Sequence, residues 1–320
     1  MNTFHRAAIF VPAALILLTG AACTDAGQAS PSPTPQVTVP AVDEVPTPLP
    51  TPEPSKPPVT LVGADLLALQ KQMAAAVKAT SMPGEYAVAV TDLQTGETVS
   101  VNGDALRLSG CVMNLFVILQ VALDLEAGRY PLAHADALVA ATTWSSNAAT
   151  ARELYALVGS GDVTHGVERV DALIRGVLEL DGVLIDHPPL YHDDSIGRDY
   201  NNWITAESVN QALAALWRGE ILTPRWRDFV LDHLATVKPG LNYLTAYVPE
   251  GVVSHKNGFL EADTGFVDND AGIVRLDRNG REVAYAVTFL SQEVPVKYGD
   301  AVLGQQISKL AYDVMSARYP

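Results

Sequence analysis

Residues Leu108-Ser109-Gly110-Cys111-Val112-Met113-Asn114-Leu115-Phe116-Val117 lie between a strand-like half of the chain and a long helical half. The small pair Ser109-Gly110 leads straight into an apolar run that continues to Leu125, so the spacing predicts a helix with Cys111 in its first turn. A residue there sits among unpaired backbone N–H groups at the positive end of the helix dipole, a seat that favours an ionised nucleophile. Cysteine also behaves as a small, deeply buried hydrophobe. Cys111 therefore reads either as a reactive thiol or as the filler of such a seat.

Upstream of this stretch, Ala64 to Ala79 has the spacing of an amphipathic helix ended by Pro83-Gly84. Tyr86 to Thr91 and Thr98 to Asn102 form a hairpin around Asp92-Leu93-Gln94-Thr95-Gly96-Glu97. Downstream, the Cys111 helix runs to about Glu126. Further helices are predicted over Ala135 to Ala141, Ala148 to Val158, Val167 to Leu180 and Thr205 to Trp217, with another starting at Thr223-Pro224. Asp186 to Trp203 is a polar loop. Gly251 to Phe259, Ala271 to Leu276 and Glu282 to Phe289 read as strands, and Ala301 to Ser316 as a closing helix. The expected fold is α+β: one antiparallel sheet built from both chain ends with flanking helices, and an all-helical part inserted at about residues 112–235.

The N-terminal region is of a different kind. Residues 1–23 read as a signal peptide, with Arg6, an apolar core from Ala7 to Leu18, and small residues before Cys23. Leu18-Thr19-Gly20-Ala21-Ala22-Cys23 resembles a bacterial lipobox, in which the cysteine is lipidated; simple cleavage after Ala21 or Ala22 is the alternative. Residues 24–58 hold eleven of the 21 prolines and read as an extended linker, placing the folded domain at 59–320. An exported protein, anchored to the membrane through Cys23, is expected. Lipidation would leave Cys111 without a disulfide partner, since these are the only two cysteines.

A net charge of −15, from 36 acidic and 21 basic residues, argues against nucleic acid as a partner. Neither CxxC nor HExxH occurs, so no metal or cofactor is expected. His187 and His192, near Asp186, Asp193 and Asp194, read as residues of a solvated loop rather than as metal ligands.

Three short segments carry a family likeness. Cys111-Val112-Met113-Asn114, Ser145-Ser146-Asn147 and His255-Lys256-Asn257-Gly258-Phe259 occur in the order and at the spacing of the Ser-x-x-Lys, Ser-x-Asn and Lys-Thr-Gly motifs. The chain thus resembles the penicillin-recognising serine enzymes, class A β-lactamases and β-lactamase-like lipoproteins in particular, over nearly all of residues 60–318. The resemblance implies a cleft for cell-wall peptide or a β-lactam-like small molecule. It places Cys111 as nucleophile, Asn114 in the lysine position, Ser145 and Asn147 on the substrate amide, and Lys256 on a substrate carboxylate. Backbone N–H groups of Cys111 and Phe259 would form the oxyanion hole, beside Asn257 and Gly258.

The departures fall on the chemistry. Asn114 cannot accept a proton near neutral pH, and Asp186 to Trp203 contains no Glu to activate water; Asp193, Asp194 and Asp199 are its nearest substitutes. Two expectations follow. One is an impaired relative that uses the old cleft to bind cell-wall peptide or a partner. The other is a cysteine-dependent acyl hydrolase or transferase working through Cys111.

Overall fold

The computed structural model describes residues 62–198, 201–238, 243–249 and 251–320. The expected signal peptide, Cys23 and proline-rich linker lie outside the described residues, as does Asp199. No helix among the described residues is long and apolar enough to cross a membrane.

The elements run α1 (Ala64–Ala79), β1 (Glu85–Asp92), β2 (Thr98–Val101), β3 (Arg107–Leu108), α2 (Asn114–Glu126), α3 (Asp136–Ser145), α4 (Ala148–Val158), α5 (Val163–Gly176), β4 (Val183–Leu184), β5 (Trp203–Ile204), α6 (Ala206–Arg218), α7 (Pro224–Leu234), β6 (Val252–Ala262), β7 (Gly265–Arg278), β8 (Arg281–Gln292) and α8 (Ala301–Arg318). Five strands form an antiparallel sheet in the order β2-β1-β8-β7-β6, so strands from both chain ends meet at the β1–β8 pair. The mixed architecture is the α+β fold read from the sequence.

Each sheet face has its own core. Val88 and Val90 of β1, with Val287 and Phe289 of β8, pack under Leu66, Leu69 and Met73 of α1 and Ile307 and Ala311 of α8. Alternate residues, Ala87 and Ala89 of β1 and Ala286 of β8, face the helical part. At the centre of that part runs α2, in which only Leu123 and Glu126 escape full burial. A helix apolar on all sides must be surrounded, and α4, α5 and α7 surround it.

Three of the differences from the sequence reading have a plain local reason. The fifth helix begins at Val163 rather than Val167, because the Asp162 side chain accepts the His165 N–H and caps it there. Strand β7 spans 14 residues, extended past Ala271 to Leu276 by pairing along both β6 and β8. A second sheet, β3-β5-β4, is made of two-residue strands, too short for any periodicity to show.

Candidate functional site

The turn that carries Cys111 is set by backbone contacts on three sides. Asn269 Nδ2 donates to Leu108 O and Ser109 O at 2.8 and 3.1 Å, and Ser109 N donates to Asn202 O at 2.9 Å. Gly110 adopts φ +49, in the left-handed region, and a Cβ there would lie 3.0 Å from Phe259 N. Gly258 is as constrained: a Cβ on it would lie 2.8 Å from Ser109 O and 2.9 Å from Val112 N. The two glycines let β6, the sheet's last strand, press directly on the Cys111 turn. The Phe259 amide thereby comes beside Gly110-Cys111, the pairing an oxyanion hole requires.

Cys111 does not occupy the α-helix itself. Gly110–Met113 is a 3-10 turn, and the helix proper begins at Asn114, whose N–H is shared between Cys111 O and Val112 O. The thiol is buried, at 6% exposure, yet it lies in the wall of two cavities. Asn114 is fully buried, and neither its Oδ1 nor its Nδ2 has a protein partner.

The second segment places its residues differently from the expectation. Ser145 ends α3 and is exposed, although it reaches the smaller cavity's lining. Ser146, at φ 53, turns inward: its Oγ accepts from Lys256 Nζ and donates to Asn257 O at 3.2 Å. Asn147 is exposed and caps α4, its Oδ1 accepting from Ala149 N and Thr150 N at 3.0 and 3.2 Å. Its acceptor is thus engaged with backbone rather than offered to the cleft.

Lys256 is wholly buried and lines neither cavity beside Cys111. Its Nζ donates to Ser146 Oγ and, at 2.6 Å, to Asn257 O. Burial pulls its pKa down to about 8, against the opposing pull of negative charge at Cys111 and Asp270. The ammonium is therefore a neighbour of the thiol from behind the cleft wall. His255, one residue earlier, faces away and bonds Asp270 at 2.8 Å. Phe259 stacks at 6.0 Å on Phe266, with the Lys297 ammonium 4.4 Å from its ring centre.

The polar loop closes the larger cavity, of about 430 Å³, and here the sequence reading missed two residues. His187 and His192, their ring centres 4.0 Å apart, line that cavity together with Cys111. The only sequence signal was two imidazoles within a loop expected to supply a base. Two of the loop's described carboxylates are engaged elsewhere. Asp194 holds Arg152 at 2.7 and 3.0 Å, and Asp186 accepts from Ser195 Oγ and Arg198 N at 2.6 and 2.7 Å. Asp193 is exposed, and neither it nor the other two lines a cavity beside Cys111. Asn202 ties the loop down, taking the Asp186 N–H and donating to His187 O, each at 2.7 Å. No group of described residues is arranged to hold a metal ion.

Comparisons with known proteins agree with this geometry. A model of the β-lactamase enzyme family matches residues 134–315, more than half the chain, starting after the Cys111 turn. A class A β-lactamase from Bacteroides cellulosilyticus is 21% identical with a TM-score of 0.67, over 79% of this chain and 99% of that one. A β-lactamase from Chitinophaga pinensis is 20% identical with a TM-score of 0.64, over 78% and 99%. The structure named PBP-A is 16% identical with a TM-score of 0.65, over 79% and 97%. These structures share the fold. No match was found among curated proteins.

Proposed function

Because the chain belongs to the β-lactamase enzyme family, we propose that its cleft binds cell-wall peptide or a β-lactam-like small molecule and turns it over slowly or not at all. The observation that carries this reading is Asn114. It stands where a proton acceptor would be needed, fully buried and without a partner, and an amide cannot accept that proton. The loop adds to it, since Asp194 and Asp186 are spent on Arg152, Ser195 and Arg198, and Asp193 is exposed and lines neither cavity beside Cys111.

A second reading has one observation in its favour. The Lys256 ammonium lies close enough to Cys111 for charge on the thiol to raise the lysine pKa, so a cation stands behind the sulfur that would attack. In that chemistry Sγ attacks the substrate carbonyl carbon, the C–N bond breaks, and Ser146 Oγ passes a proton from Lys256 to the departing nitrogen. Water would then cleave the thioester, with His187 or His192 as the imidazole in reach of the same cavity.

Intact mass of the purified protein after incubation with a penicillin, then a thiol alkylator, separates the two readings. Under the proposed function the penicillin raises the melting temperature, the mass stays unchanged and nitrocefin is consumed slowly or not at all. A penicilloyl adduct that disappears in Cys111→Ala would replace the binding reading with the acyl-enzyme. Fast nitrocefin turnover would sink the claim of impairment.

The reading also puts the protein in the cell envelope, supported by the apolar segment before Cys23 and the proline-rich residues 24–58. Expressed in a bacterium fed radiolabelled palmitate, the chain should take up label, and Cys23→Ala should not. Equal labelling of both would remove the anchor from the account.

A further inference from the structure

The smaller cavity, about 220 Å³, shares Cys111 with the larger one and is walled by Ser146, Asn257, Asp268, Tyr243 and Tyr298. None of its lining residues is basic. Lys256, the cation expected to meet a substrate carboxylate, is spent on Ser146 Oγ and Asn257 O behind the wall. The one charged residue in this wall is acidic. Asp268 is 1% exposed; its Oδ2 accepts from Tyr298 N at 2.9 Å, and its Oδ1 has no partner. Burial, reinforced by Asp300, pushes its pKa up to about 6, so it is charged at pH 7.5.

Asn257 is the second unpaired group. It is 7% exposed, and neither its Oδ1 nor its Nδ2 has a partner. It pairs with Asp270 across the β6–β7 ladder, which makes Asp268 its diagonal neighbour on one face. Sealed polar atoms without partners are costly and rare. Together these residues leave two acceptors and one donor unpaired, whichever way the Asn257 amide is turned.

That inventory discriminates among ligand end groups. A carboxylate brings acceptors only, and its charge would face Asp268. An ammonium brings donors only. A primary carboxamide brings two N–H donors and one carbonyl acceptor, the complement of what is unpaired. We infer that the smaller cavity takes a primary carboxamide, the end group of an amidated peptide, in place of the carboxylate expected opposite Lys256. Seating it turns the Asn257 and Asp268 side chains toward the ligand, since their free atoms are covered in the empty wall.

The inference rests on the peptide-binding reading, and calorimetry at pH 7.5 tests both. The probes are N-acetyl-D-Ala-D-Ala and its C-terminal carboxamide, titrated into the full chain. The amide should bind at least about tenfold more tightly than the acid, as expected when a site's buried polar groups are matched rather than opposed. Asp268→Asn should close most of that gap, chiefly by improving the acid. This variant removes a charge that burial already opposes, so it should fold. If its melting curve shows otherwise, Asn257→Leu serves instead and should weaken the amide while leaving the acid unchanged. Equal affinities, or a tighter acid, overturn the carboxamide pocket and leave the peptide reading standing. If neither peptide binds, both fall.

Discussion

Between pH 8 and pH 10 the wild-type domain gains stability, and Lys256→Met loses that gain. The cause is a lysine held with no exposure, whose pKa burial lowers from 10.5 to about 8. A base with a depressed folded-state pKa binds fewer protons folded than unfolded between those two values. The slope of unfolding free energy with pH is then positive. Below pH 8 both states carry the proton, and the whole burial penalty applies. As pH rises toward 10.5 the folded state sheds its proton first and the penalty is relieved. The full difference is on the order of 3 kcal/mol, of which about 2 kcal/mol is recovered between pH 8 and pH 10. Urea denaturation at pH 7, 8, 9 and 10 measures it. Above pH 10 the buried tyrosines reverse the trend: Tyr86, for one, is raised to about 12 and so holds its proton longer when folded. If the pH profiles of wild type and Lys256→Met run parallel, Lys256 is not a buried cation in solution.

The same variant bears on the cleft. A cation behind Cys111 attracts the negative charge that Sγ carries as it attacks, and a methionine does not. Lys256→Met should therefore slow iodoacetamide alkylation of Cys111 in the folded protein, while leaving the rate in urea unchanged. A loss of protein stability alone would accelerate alkylation, so the two explanations give opposite signs.

The sequence made some of this arrangement legible and hid the rest, for physical reasons that differ by residue. Helical spacing located α1 and α8, which each bury one stripe, while β1, β6 and β8 showed as short apolar runs because the sheet is covered on both faces. The first and third motif segments came together because Gly258 and Gly110 permit a close backbone approach, and Ser146 ties in the second through Lys256 and Asn257 O. The inward turn of Ser146 was hidden, since a left-handed φ at a serine leaves no mark in the triplet Ser145-Ser146-Asn147. The placement of His187 and His192 was hidden too, because it depends on Asn202 pinning a loop from 15 residues away. Lys256 was visible as a motif residue, but its burial was not. That followed from where Ser146 and Asn257 carried their oxygens.

Arg169→Ala should be the most destabilising single change, costing about 3–5 kcal/mol in chemical denaturation, the range for stranding a buried charge. Its partner is Asp124, on the central helix that follows the Cys111 turn. Arg169 Nη2 meets Asp124 Oδ1 at 2.6 Å, and Nη1 meets Oδ2 at 2.7 Å. Asp124 has a side-chain exposure of 2%, whereas Arg169 has 20%. This asymmetry predicts the order of the two single variants. Removing Arg169 leaves a sealed carboxylate with only Gln120, at 3.0 Å, and the exposed Arg129, at 3.3 Å. Removing Asp124 leaves a guanidinium that still donates to Val158 O and can reach water. Asp124→Ala should thus cost less than Arg169→Ala. The double variant should cost less than the sum, because the second change removes the charge stranded by the first. Cys111 reports the consequence for the site. The pair fixes α5 against α2, and α2 continues directly from the Cys111 turn, so loosening it should make the thiol more reactive toward iodoacetamide at urea concentrations where the wild type protects it. Full additivity in the double variant, or unchanged protection of Cys111, would mean that the pair neither couples the two helices nor steadies the turn.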